Sequence, residues 1–188
     1  MEENQCFTDN KIMFRYDFYR MTGEMFKGSL RNYIQMIKGH NLRYMWWWRR
    51  QGSPLWSKLA KIQLYRYSRK YGLEIGNVKI GKGLYLGHPY NITVNEDAIL
   101  GENVNLHKGV TIGRENRGKR IGAPIIGNRV FVGVNATVVG HITIGDDVMI
   151  APNSFVNFDV PLHSIVMGNP AVIYPKYDAT WSYINFLV

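Results

Sequence analysis

Between Ile80 and Val160 an aliphatic residue returns every six positions, with a small or β-branched residue four places after it. In the second half the leaders are Ile126, Val132, Val138, Ile144, Ile150 and Val156. The residues four further on are Val130, Ala136, Ile142, Val148, Ser154 and Val160. A six-residue period fits neither an amphipathic helix nor a simple alternating strand, and it is the signature of a parallel β-helix. Each hexapeptide then forms one flat side of a triangular coil, with the leading aliphatic pointing inward. Gly, Asn or Asp takes the corner, because these residues tolerate positive φ at low steric cost. An antiparallel β-sandwich with evenly spaced turns is the alternative, and the number of matching registers disfavours it.

The repeat breaks twice. Ile80, Leu86 and Ile92 are in phase, after which the count restarts at Val94, Leu100, Leu106 and Ile112. From Ile112 to Ile126 is fourteen residues instead of six, so residues 113–125 are expected to leave the repeat as an excursion loop.

The net charge of +9 belongs to the other part of the chain. Residues 1–70 hold 14 Lys/Arg against 5 Asp/Glu, whereas residues 71–188 hold 9 of each. Residues 1–70 read as a basic, aromatic-rich α-helical region, with turn chemistry at Gly39-His40 and Gly52-Ser53-Pro54. Trp46-Trp47-Trp48, Trp56, Tyr65 and Tyr67 are interleaved there with Arg43, Arg49, Arg50, Lys58, Lys61 and Arg66. Three readings compete: a cap over the open end of the β-helix, a face for peripheral contact with an anionic membrane, and nucleic-acid binding. The last has no motif behind it, so no nucleic-acid partner is expected. The domain plan is 1–70 helical, 71–175 β-helix and 176–188 a C-terminal tail.

Cys6 stands alone, so no internal disulfide forms and a reducing compartment is the simplest reading. No apolar run reaches the roughly 18 residues of a membrane span, and the polar start Met1-Glu2-Glu3-Asn4-Gln5 is unlike a signal peptide. A cytoplasmic protein is expected, at most peripheral at the inner membrane face. His107, His141 and His163 are not clustered at metal-ligand spacing and one Cys makes no zinc pattern, so no metal is expected. His88, in Leu84-Tyr85-Leu86-Gly87-His88-Pro89-Tyr90, falls at a coil corner beside the phase slip, within reach of the excursion loop if the coils stack. A histidine on a rigid edge is suited to take a proton from a hydroxyl, although a lone histidine is more often structural or solvated.

The hexapeptide array, the segment Ile80-Gly81-Lys82-Gly83-Leu84-Tyr85-Leu86-Gly87-His88, the loop ending in Pro124 and the closing Val166-Met167-Gly168-Asn169-Pro170-Ala171 together resemble the serine acetyltransferase-like branch of the hexapeptide acyltransferases. The short basic N-terminal region, with Asp17-Phe18-Tyr19-Arg20, is similar to that of capsule and exopolysaccharide acetyltransferases. The resemblance implies a left-handed parallel β-helix, a homotrimer, and acetyl-CoA as acyl donor lying between neighbouring prisms. It implies that His88 is the catalytic base and that Glu74 is the carboxylate orienting its imidazole, with Glu96 beside them. It implies that CoA follows Gly113 and Arg114, Gly133 and Val134, and Ala151 and Pro152. Against the family pattern, Gly87 stands where serine acetyltransferases carry Asp, and Gly122-Ala123 where they carry Arg-His, with Arg120 two residues away. An ionic ligand without partners binds poorly. These departures lead to the expectation of an O-acetyltransferase acting on a saccharide of surface-polysaccharide biosynthesis. Serine O-acetylation for cysteine biosynthesis is the alternative, and a non-catalytic β-helix scaffold the second.

Overall fold

The computed structural model describes residues 2–188, with side chains from residue 12 onward, so Met1 and the side chain of Cys6 lie outside the described residues. Four helices, α1 (Glu2–Thr22), α2 (Leu30–Lys38), α3 (His40–Trp48) and α4 (Ser57–Tyr71), precede fifteen short strands. Numbered in chain order, the strands fall into three sheets. Face A stacks β1 (Leu73–Ile75), β4 (Ile92–Val94), β7 (Thr111–Gly113), β10 (Thr137–Val139) and β13 (Phe155–Val156). Face B stacks β2 (Lys79–Ile80), β5 (Ile99–Leu100), β8 (Ile125–Ile126) and β11 (Thr143–Ile144). Face C stacks β3 (Tyr85–Gly87), β6 (Asn105–His107), β9 (Val130–Val132), β12 (Val148–Ile150), β14 (Ser164–Gly168) and β15 (Ala171–Pro175). Every named pair is parallel except β14 with β15, so the chain winds once round three faces per coil. This is the parallel β-helix expected from the six-residue period.

Registers give the coil length directly. Thr93 pairs with Thr111 and Thr137 with Phe155, each eighteen positions on, three hexapeptides to a coil. Thr111 pairs with Thr137, and the eight additional residues are those of the excursion. The excursion is a small hairpin held by the antiparallel bridge of Glu115 with Gly122. The phase slip also has an address. Gly87 pairs with His107, twenty positions on, before the count returns to eighteen at Thr93. The corner after β3, which holds His88, is therefore two residues longer than the corner above it. The leaders and their partners four residues on, Val132, Ala136, Val138 and Val148 among them, fill the prism and are fully buried.

A coil at the end of a β-helix exposes unpaired backbone groups, which need a cover. The helices supply it. Trp48 Nε1 donates to Gly76 O at 3.0 Å, and Tyr44 Oη accepts from Ile75 N at 3.2 Å. Arg49 donates to Ile80 O and Gly81 O, Asp17 accepts from Leu84 N, and Arg20 donates to Gly83 O. Asp17 and Arg49 are themselves a buried ion pair at 2.8 Å. The three consecutive tryptophans point to different partners: Trp46 packs on Phe14 and Phe26, Trp47 on Trp56, and Trp48 on the first coil. The tail folds back along face C. Asp147 accepts from Ala179 N, Thr180 N and Thr180 Oγ1, and Asn103 exchanges two hydrogen bonds with the backbone of Val188.

Candidate active site

The edge between faces C and A carries the residues after β3, β6, β9 and β12, and they stack coil on coil. Lys108 N donates to Gly87 O, Gly109 N to Tyr90 O, Asn135 N to Lys108 O and Asn153 N to Val134 O. His88 opens this column in the extended corner, exposed and with φ of +48°. His88 shares this left-handed φ with other corner residues of the coils, Asn103, Arg129, Asn135 and Asp147 among them. The helical region holds this corner in position. His40 Nε2 lies 3.1 Å from Pro89 O, His40 stacks on Tyr71 with ring centres 4.3 Å apart, and Asn91 N donates to Tyr71 O.

Of the residues expected at the CoA and acceptor sites, Gly133, Val134, Ala151 and Pro152 share the edge of His88. At Gly133 a Cβ would come within 2.7 Å of Pro152 N, so glycine permits the close approach of the two corners. Gly113 and Arg114 lie at the next edge, between faces A and B, where Arg114 pairs with Asp97. Arg120 lies in the excursion, bonded to Glu115 Oε2 at 3.3 Å, and its carbonyl accepts from His141 N. Within one chain, then, the excursion and His88 occupy different edges of the prism. Glu74 and Glu96 line a cleft of about 520 Å³ under α4, and Glu74 Oε1 accepts from Ser68 Oγ at 3.1 Å.

Gly87 is buried against its neighbour in the next coil. A Cβ there would stand 2.5 Å from both Cε1 and Nδ1 of His107 and 3.0 Å from Nε2. His107 thus fills the space that a side chain at position 87 would occupy, and glycine at 87 reports that packing. Sequence reasoning set His107 aside for lack of metal spacing. The signal that finds it is its register opposite Gly87, one residue before His88.

Residues 123–157 match the family model described as Bacterial transferase hexapeptide (six repeats). A serine acetyltransferase of Helicobacter pylori is 40% identical over 113 residues, covering 60% of this chain and 65% of that protein. Serine acetyltransferase 4 of Arabidopsis thaliana is 36% identical over 145 residues, 76% of this chain and 39% of that protein. The chain thus spans from about two fifths to just under two thirds of the length of these relatives. The crystal structure of the Neisseria gonorrhoeae serine acetyltransferase in complex with serine superposes with a TM-score of 0.73 at 27% identity, over 91% of this chain and 72% of that one. Across its coils the chain is similar to serine acetyltransferases, and within them residues 123–157 carry the hexapeptide-repeat pattern of bacterial transferases. These relatives overturn the expectation of a saccharide acceptor in surface-polysaccharide biosynthesis and favour the serine alternative. The expectation leaned on Gly87 and on Gly122-Ala123; at position 87 the space a side chain would take is filled by the ring of His107.

Proposed function

We propose that this chain is an acetyl-CoA-dependent serine O-acetyltransferase of cysteine biosynthesis. The observation that carries the reading is the 36–40% identity to serine acetyltransferases across the coils that present His88 on an extended corner. His88 takes the proton from the serine hydroxyl as its oxygen attacks the thioester carbonyl, and the CoA thiolate leaves. The pantetheine arm follows Gly133, Val134, Ala151 and Pro152 along the His88 edge. Because Gly113, Arg114 and Arg120 stand at a different edge, a complete site needs a neighbouring prism, and the active form is a homotrimer. Release of CoA thiol from acetyl-CoA, with and without L-serine, tests the reading. Serine-dependent release that is lost in His88→Ala supports it, and a wild type that binds acetyl-CoA but ignores serine overturns it.

The helical region supports a second reading, of location. No helix among the described residues is long and apolar enough to cross a membrane. From Met25 to Leu73, however, there are 11 Lys/Arg and no Asp or Glu. Large apolar side chains are exposed among them, with Leu30 at 77%, Ile37 at 70% and Leu55 at 80%. A second copy docking there would set like charges against each other, whereas an anionic bilayer complements both features. Peripheral contact with anionic lipid is therefore proposed. Sedimentation with phosphatidylglycerol vesicles but not phosphatidylcholine vesicles, weakened by Leu30→Glu/Ile37→Glu, supports it. Failure to bind either vesicle, or self-association through these residues, overturns it.

A further inference from the structure

Among the described residues, His107 Nε2 is the buried side-chain nitrogen or oxygen that has no hydrogen-bond partner. Such groups are rare because burying one unpaired costs stability, and here packing alone holds the ring in place. This one lies in the wall of the candidate active site. The ring is tilted against Phe131 at 4.6 Å and Tyr85 at 6.0 Å, and it lies over Gly87, the residue before His88. Nδ1 makes no hydrogen bond among the described residues and is not sealed as Nε2 is, which leaves it the more open of the two ring nitrogens.

We propose that His107 is the acceptor-binding residue of this site, its Nδ1 accepting a hydrogen bond from the ammonium of the acceptor amino acid beside His88. The proposal rests on the serine reading above. It also accounts for the departure at position 87, because the polar group facing the acceptor comes from the next coil instead of from the residue before the base. With the proton on Nε2, Nδ1 keeps the lone pair this contact needs. Burial, and then the charge of His88, hold His107 below its ordinary pKa, so the ring stays neutral and able to accept. The titratable groups around it are His88 and Tyr85, with Arg20 5.8 Å from the centre of the Tyr85 ring.

The test is steady-state kinetics on the full-length protein, with L-serine and acetyl-CoA varied separately, for wild type, His107→Leu and His107→Gln. Loss of a hydrogen bond to a charged group raises the serine KM of His107→Leu about tenfold or more. The acetyl-CoA KM stays within about twofold, since the variant leaves the donor's path untouched. His107→Gln, whose amide oxygen can accept, retains part of the serine affinity and keeps the packing if the leucine variant melts early. A serine KM unchanged in both variants, with wild-type melting temperatures, overturns the role of His107 and leaves the serine reading standing. A wild type that never turns over serine overturns that reading instead, and this proposal with it.

Discussion

Replacing Arg49 by Met strikes the joint between the helices and the first coil. The side chains of Asp17 and Arg49 are 0% and 2% exposed and share two hydrogen bonds, at 2.8 and 3.1 Å. Arg49 Nη1 and Nη2 also donate to Ile80 O and Gly81 O at 3.0 and 2.7 Å. Burial pushes the Asp17 carboxyl above its ordinary pKa, and Arg49 is the main influence holding it down. Without Arg49, Asp17 keeps the Leu84 amide and two carbonyls lose a donor, in a site sealed from water. Breaking a buried ion pair from one side costs about 3–5 kcal/mol. For a chain of this size each kcal/mol moves Tm by about 2–4 °C, so Arg49→Met should melt about 6–20 °C below wild type in calorimetry. The pair Asp17→Leu/Arg49→Met removes both charges and should recover most of that loss. A single variant within about 1 °C of wild type, or a double variant no better than the single, would refute the reasoning.

Other outcomes follow from groups already described. His107 has a folded pKa below its ordinary 6.5, so the unfolded chain takes up the proton first as the solution is acidified. Its contribution to stability is therefore intact above 6.5 and lost as pH falls toward the folded value; Tm of wild type should drop more than that of His107→Gln between about pH 7 and about pH 5. Gly87→Asp alone should lower Tm by driving the new side chain into the His107 ring, and His107→Gly in the same chain should relieve it; equal melting of the two variants would deny the contact. At Asp147 burial alone would raise the pKa, but hydrogen bonds from Thr180, His163 and Ala179 lower it. Its stabilisation is present above 3.8 and is lost as pH falls below that value. Asp147→Asn should therefore free the tail, seen as faster amide exchange at Ala179 and Thr180.

The prism was legible because burial is periodic. Inward residues such as Leu106, Ile112, Val138 and Ile150 must be apolar at fixed spacing, and nothing else in the chain needs to be known to see it. The slip at Val94 and the fourteen-residue step to Ile126 were equally legible as interruptions of that count, and the structure converts them into an extended His88 corner and a hairpin. What escaped depends on contacts across coils. Gly87 reads as a missing aspartate along the sequence but as half of a packed pair in space, because its partner lies twenty residues on. His40 is nearly fifty residues from Pro89, and only the docked helix brings it to the His88 corner. The excursion was expected within reach of His88, yet successive corners of one coil point to different edges, and a single prism keeps the two apart.

The most direct measurement follows the acetyl carbon. Acetyl-CoA labelled with ¹³C at the carbonyl, incubated with L-serine and read by NMR, should yield an ester on the serine oxygen with wild type and none with His88→Ala. Labelled acetyl-CoA left unchanged by a folded wild type that binds it, or the same ester formed at the same rate by His88→Ala, would contradict the assignment of serine or of the base.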